Sequence, residues 1–254
     1  MESNLISIVM PAFNAEKTIL ESINSVINQT YSDWELIICD DGSTDKTLDI
    51  ISKLQDNRIT LIHNVNQQGA AGARNSCISI AKGSYIAFLD SDDVWSKEKL
   101  SQQLNHMILN DVDFSYGGYY IFSDVIDNVQ GKFEPSHNLT IDRILKSCDI
   151  GCLTVMIKRS SYIDFKFPYS VKEDYTAWIS CFNKKLKIMK YPGLYAYYRI
   201  SQKSLSSNKI KETMRQFHVI RKYGGIGVVK SIYYISCYIV IGIIKHRFKY
   251  RAIR

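Results

Sequence analysis

Strand-like and helix-like segments alternate through the first 110 residues with only short links between them, and this limits the fold more than any other feature. "LISIVMP" reads as a buried strand, and "EKTILESINSVINQT" sets Ile19, Ile23, Val26 and Ile27 at helical spacing. "WELIICDD" is a second strand, and "STDKTLDIISKL" a second helix that opens on residues suited to a cap. "RITLIHN", "GAAGARNSCISIAKG" and "SYIAFLD" continue as strand, helix and strand, and "SKEKLSQQLNHMIL" follows as a helix with Ser96 at its cap. This order predicts an α/β fold with a mostly parallel central sheet covered on both faces.

After Asp111 the pattern loosens into strand-like pieces, "DFSYGGYYIF" and "CLTVMIKR", among loops rich in Tyr, Ser and Gly, then a short helix, "EDYTAWISCFNK". No linker separates this stretch, so residues 1–110 and 111–212 are expected to be two halves of one domain. The 254 residues suffice to bury a substantial core, and 46% hydrophobic with 22% charged residues is ordinary globular usage. The six cysteines form no CxxC pair and no zinc-like spacing with the five histidines, so they are read as core residues of a reducing compartment. "MESNLISIVMPAF" reads as a first strand and not as a signal peptide.

Chemistry gathers where the strands end. In open parallel sheets, ligands bind beyond the carboxyl ends of the strands, and two such ends carry acids: Asp40-Asp41-Gly42 and, in "FLDSDDVW", Asp90-Ser91-Asp92-Asp93. Residues two apart on an extended chain point the same way, so Asp90 and Asp92 can converge on one point. Hard oxygen ligands of this kind suit Mg²⁺ or Mn²⁺ with substrate phosphate oxygens completing the shell. The plainer reading is that these aspartates cap the next helix and mark a turn.

Five stretches in order and spacing, "SIVMPAFNAEKTI", "QTYSDWELIICDDGSTDKT", "GAAGARN", "KGSYIAFLDSDD" and "EDYTAWI", resemble the signatures of inverting family 2 glycosyltransferases of the Rossmann-like GT-A fold, over roughly residues 5–205. The resemblance implies that Pro11, Ala12 and Phe13 line the nucleotide base pocket and that Asp41 accepts from the uracil imide. It implies Asp90 and Ser91 near the ribose and metal, Asp92 as the main ligand of the ion, and Asp174 as catalytic base. Arg74 is expected at the donor diphosphate, or else paired with a rim aspartate; Arg199 is a further candidate for the diphosphate. Glu173 and Trp178 are candidates for the acceptor side, with dipole-favoured helix acids and core packing as the alternatives. The family's late Tyr-Arg-x-His pattern departs here: Ser201 stands in the place of the histidine. No QxxRW-type signature of processive polymerases is present, so one sugar per encounter is expected.

The net charge of +7 sits in the tail: residues 213–254 carry nine Lys/Arg and no acid, which leaves 7 − 9 = −2 for residues 1–212. "SIYYISCYIVIGII" spans about 21 Å as a helix, short of the roughly 30 Å hydrocarbon core. Residues 213–254 are therefore expected to form a helical tail lying in the membrane interface against anionic lipids; a buried C-terminal helix and a true span are the alternatives. No nucleic-acid motif accompanies the basic residues. Together these features predict a metal-dependent hexosyltransferase, glucose or galactose favoured, moving sugar from a UDP-sugar to an undecaprenyl-diphosphate-linked sugar. It would work peripherally at the cytoplasmic face of a bacterial inner membrane, in O-antigen or capsule synthesis. A nucleotidyltransferase or an inactive membrane-associated nucleotide-sugar-binding module are the competing readings.

Overall fold

The computed structural model describes residues 4–200 and 209–244. In chain order the elements are β1 (Ile6–Ala12), α1 (Ile19–Ile27), β2 (Trp34–Asp40), α2 (Thr47–Ser52), β3 (Ile59–His63), α3 (Ala70–Ile80), β4 (Tyr85–Phe88), β5 (Val94–Trp95) and α4 (Lys99–Leu109). They continue as β6 (Phe114–Phe122), β7 (Val129–Phe133), α5 (Ile141–Lys146), β8 (Met156–Lys158), α6 (Glu173–Asn183), β9 (Ile188–Arg199), α7 (Lys209–Tyr223) and α8 (Val228–Ile244).

One sheet runs β3-β2-β1-β4-β8-β6-β9-β5, with β7 beside β6. Its first four strands are parallel, as the alternating sequence requires. The expectation of a mostly parallel sheet fails beyond β4. There β8 is antiparallel to both β4 and β6, β9 returns parallel to β6, β5 pairs antiparallel with β9, and β7 pairs antiparallel with β6. The regular strand–helix–strand alternation stops there: β6 and β7 follow each other directly and pair antiparallel, and β8 and β9, on either side of α6, join the sheet without becoming neighbours. The whole is a single α/β domain with a mixed sheet.

Strand side chains alternate between two apolar layers. Ile8, Leu36, Ile38 and Ala87 enter the layer shared with α1 and α4. Their neighbours Val9, Ile37, Cys39 and Phe88 enter the layer shared with α3 and α6. Burial on both faces explains why β1, β2 and β4 read as unbroken apolar runs. The helix phase expected for α1 holds, with Ile19, Ile23 and Val26 fully buried. Ser96 does not cap α4: its Oγ is buried with no partner among the described residues, while its carbonyl accepts from the Lys99 N–H at 3.1 Å.

The boundary expected after residue 212 falls inside α7. Gln216, Val219 and Ile220 of that helix are fully buried, and Tyr234 and Ile235 of α8 pack on the α3/α6 layer. The two C-terminal helices thus lie against α5 and α6. Among the described residues no helix is long and apolar enough to cross a membrane.

Candidate active site

Register brings both acidic strand ends to one rim. Ala12 pairs with Asp40 across β1 and β2, and the Leu89 N–H bonds the Val9 carbonyl at 3.1 Å, so the chain leaves the sheet at Asp41 and Asp90 on the same edge. Asp40 is structural: it is buried and accepts from the Gly42 N–H at 3.0 Å and the Ser43 N–H at 3.2 Å. Asp41 is the rim acid, with Oδ1 accepting from Asn64 Nδ2 at 2.6 Å and Oδ2 from the Gly69 N–H at 2.8 Å. Gly69 makes that bond at φ 117°, a conformation that excludes most side chains. Gly72 serves the chain itself, since a Cβ there would sit 1.8 Å from the Gln67 carbonyl oxygen.

Arg74 joins two distant segments. Rooted in α3 and 4% exposed, it reaches Asp90 Oδ1 with Nη2 at 2.6 Å and Glu173 Oε1 with Nη1 at 3.0 Å. The plainer of its two expected roles, pairing with a rim aspartate, is the one observed. It ties the end of β4 to the first turn of α6 and leaves Asp174 beside it, facing the same space. That space is a cavity of about 330 Å³ bordered by Arg74, Asp90, Asp93, Glu173 and Asp174 on its polar side. Tyr119, Phe133 and Tyr198 form an aromatic wall, with ring centroids 5.3 and 5.7 Å from Tyr119, and the segment from Cys148 to Leu153 closes the remainder.

The acids in this cavity are not equivalent. Among the described residues Glu173 is ion-paired and Asp174 is not. Burial, then the charges of Glu173 and Asp90, raise the Asp174 carboxyl above its ordinary value, against the pull of the Tyr175 N–H at 2.6 Å and of Arg74. Asp93 is fully buried and accepts from the Arg199 N–H at 2.9 Å; burial and the Asp92 and Asp90 charges push it well up. Asp92 is exposed at the rim and forms no ion pair among the described residues; desolvation and the Asp90 charge raise its carboxyl.

This donor set fits a hard divalent cation. Asp92 and Asp90 supply carboxylate oxygens whose mutual repulsion a cation would relieve. Among the described residues no three His, Cys, Asp or Glu side chains converge on a point, so these residues alone form no closed cage. One or two carboxylates plus substrate phosphates is how Mg²⁺-like ions are commonly held.

Three expected roles do not survive. Trp178 does not floor an acceptor site: it is fully buried among Phe88, Phe114, Phe165 and Phe167, at centroid distances of 5.2–6.3 Å. The cavity begins at the N-terminus of α6, and one turn further the same face already meets the aromatic core. Arg199 does not project toward a diphosphate. Its guanidinium pairs with Glu21, donates to the Asp92 carbonyl at 2.7 Å and the Asp124 carbonyl at 2.5 Å, and lies 4.4 Å over Phe122. It is a brace for the acidic loop. Ala12 is buried and contributes its carbonyl to the Asp41 N–H at 2.8 Å, not a side chain to a pocket. Pro11 is half-buried, Phe13 is 53% exposed, and Ser91 accepts through its carbonyl from Thr18 Oγ1 at 2.9 Å. Phe13 and Asp41 share the rim but do not border the cavity. Ser201 lies outside the described residues.

The family model described as "Glycosyl transferase family 2" matches residues 7–163. An Escherichia coli protein, "UDP-Glc:alpha-D-GlcNAc-diphosphoundecaprenol beta-1,3-glucosyltransferase WfgD", is 44% identical over 252 residues, 99% of this chain and 98% of that protein. Among solved structures, Staphylococcus aureus TarS 1–349 in complex with UDP-GlcNAc superposes with a TM-score of 0.67 at 21% identity, covering 94% of this chain and 72% of that one. The mannosyltransferase PcManGT from Pyrobaculum calidifontis, in complex with GDP-Man and Mn²⁺, gives a TM-score of 0.68 at 13% identity, covering 96% and 75%.

Proposed function

This chain belongs to glycosyl transferase family 2, and from that premise we propose that it moves glucose from UDP-glucose to an N-acetylglucosamine carried on undecaprenyl diphosphate, forming a β-1,3 bond with inversion. The donor and acceptor follow the relative that matches it almost end to end. The observation that carries the reading is the cavity in which Asp174, raised and in no ion pair among the described residues, shares one space with Asp90. A glycosyltransferase needs there a proton acceptor beside a site for a leaving diphosphate, and a nucleotidyltransferase needs no such base.

Asp174 takes the proton from the acceptor hydroxyl as its oxygen bonds to the anomeric carbon from the face opposite the diphosphate. The bond from that carbon to the diphosphate oxygen breaks, and its electron pair leaves with UDP. Tyr119 and Tyr198 offer aromatic faces for the apolar side of a sugar ring. Asp41 and Phe13 meet the uracil on the outer rim. Asp92 and Asp90 would hold Mg²⁺ or Mn²⁺, which when bound would offset charge on the diphosphate as a Lewis acid. Arg74 keeps Asp90 and Glu173 in place. The enzyme acts peripherally at the cytoplasmic face of a bacterial inner membrane, where such an acceptor resides, in O-antigen or related polysaccharide assembly.

The test is UDP release from UDP-glucose with a synthetic N-acetylglucosaminyl diphosphate lipid, with Mn²⁺ and with chelator. Asp92→Ala is expected to lower turnover by about 10²-fold, the equivalent of about 2.7 kcal/mol. Chelator is expected to abolish turnover, so undiminished turnover without metal would refute the assignment. A second measurement is the pH profile of kcat/KM. Because the raised Asp174 must be ionised to act, activity falls as pH drops through a value above about 3.9, the ordinary Asp value. A profile flat down to that value contradicts the role given to Asp174.

A further inference from the structure

We propose that the outward face of α8 is a lipid-seating surface, with an anionic bilayer as its occupant. The helix has 17 residues, about 25 Å of length. Val228, Val229, Ile232, Tyr233, Ile239 and Val240 are all exposed, Val229 at 82%. At about 100° per residue they fill an arc of about 140°, with Ser236 the only polar side chain inside it. The opposite face is already engaged. Ser231 is fully buried, the Tyr234 hydroxyl donates to Asp142 Oδ1 at 3.1 Å, and Tyr238 meets Lys172. The usual arrangement is thus inverted, for an apolar stripe several turns long faces outward.

Charge identifies what covers it. Arg221 and Lys222 are exposed at the end of α7, and Lys230 is exposed at the flank of the stripe. Residues 245–254, next in the chain, add Lys245, Arg247, Lys249, Arg251 and Arg254, and no acid follows Glu212. Asp142, the exposed acid beside Tyr234, is itself paired with Lys146 at 2.7 Å, so the apolar arc flanked by cations is complementary to acyl chains below anionic headgroups. Since no described helix is long enough to cross a bilayer, α8 lies in the plane of the interface.

The surface is also coupled to the catalytic helix. Lys172, the residue preceding Glu173 and Asp174, donates through Nζ to Gln216 Oε1 of α7 at 2.9 Å. The same amine lies 3.4 Å from the Tyr238 hydroxyl of α8 and 3.7 Å from Glu212. The seating helix and the base are therefore fixed relative to each other, so an acceptor held in the bilayer meets Asp174 at a set height. This coupling rests on the reading of a lipid-linked acceptor; the surface itself does not.

Sedimentation of the full chain with phosphatidylglycerol/phosphatidylcholine vesicles tests it, using the triple variant Val229→Glu, Ile232→Glu, Val240→Glu. The wild type is expected to bind, less at high salt and less on pure phosphatidylcholine, and the variant to bind at least about tenfold more weakly. These side chains are exposed, so turnover of a water-soluble short-chain acceptor should stay within about twofold while turnover of the vesicle-borne acceptor falls about tenfold. Equal binding by both proteins overturns the proposal. So does a wild-type dimer that fails to bind vesicles and that the substitutions convert to monomer, since a second copy would then be the occupant. If the wild type seats through α8 yet uses neither acceptor, the glucosyl-transfer reading falls and the surface stands.

Discussion

Asp174→Asn is expected to lower kcat by about 10²–10⁴-fold, with KM for UDP-glucose and thermal stability near those of the wild type. The amide keeps the shape and keeps an oxygen for the Tyr175 N–H, now at 2.6 Å from Oδ1, but it cannot take a proton. Removing the charge also relieves repulsion from Glu173 and Asp90, so the fold loses nothing from the change. Glu173→Gln is the control. Glu173 is held by Arg74 at 3.0 Å, so it is occupied as an anion and poorly placed to act as a base. Its replacement should disturb stability and KM more than kcat. The reverse pattern, with kcat carried by Glu173, would exchange the two assignments.

That the two adjacent acids differ was only half legible in the sequence. Their place at the start of a helix could be read, because "EDYTAWISCFNK" has helical periodicity and acids favour a first turn. Which of them is free depends on Arg74, 99 residues earlier, and no local pattern reports a contact at that separation. The parallel half of the fold was readable because β1, β2 and β4 are buried on both faces and each crossover is a helix. The sheet beyond β4 was not, since its pairings join segments such as Phe114–Tyr116 with Ile188–Lys190, which carry no shared signal. Arg199 shows the same limit. Its neighbours in sequence place it near a diphosphate, yet its anchor is Glu21, 178 residues away. For Trp178 both an acceptor contact and core packing were open, because helical spacing gives a face but not where along the axis a cavity stops; the core position is the one observed. The tail was readable as apolar and basic, while the burial of Gln216, Val219 and Ile220, which makes α7 part of the core, was hidden in a mixed sequence. Tyr119 had no motif to announce it, and the Tyr-Arg pattern that contains Tyr198 did not show which way its ring faces; the two converge only through the pairing of β6 with β9.

Arg74→Met should produce the largest loss of stability of any change at the site, because one side chain neutralises two carboxylates from different parts of the chain. Deleting one partner of a fully buried ion pair costs roughly 3–5 kcal/mol. Here Arg74 is almost wholly buried, but the Asp90 and Glu173 side chains keep 31% and 24% exposure, so water screens part of the loss. A destabilisation of about 2–3 kcal/mol follows, or a fall in Tm of about 5–10 °C for a domain of this size. Arg74→Lys should recover only part of it, since an ammonium cannot reach both oxygens with the planar fork that spans 2.6 Å to one and 3.0 Å to the other. Calorimetry of the three proteins at neutral pH decides the matter. If the methionine variant melts with the wild type at neutral pH, Arg74 is not the tie between β4 and α6. In that case the placement of Asp174 beside Asp90 must be set by the aromatic core behind them, through Phe88 and Trp178, whose rings stand 6.0 Å apart.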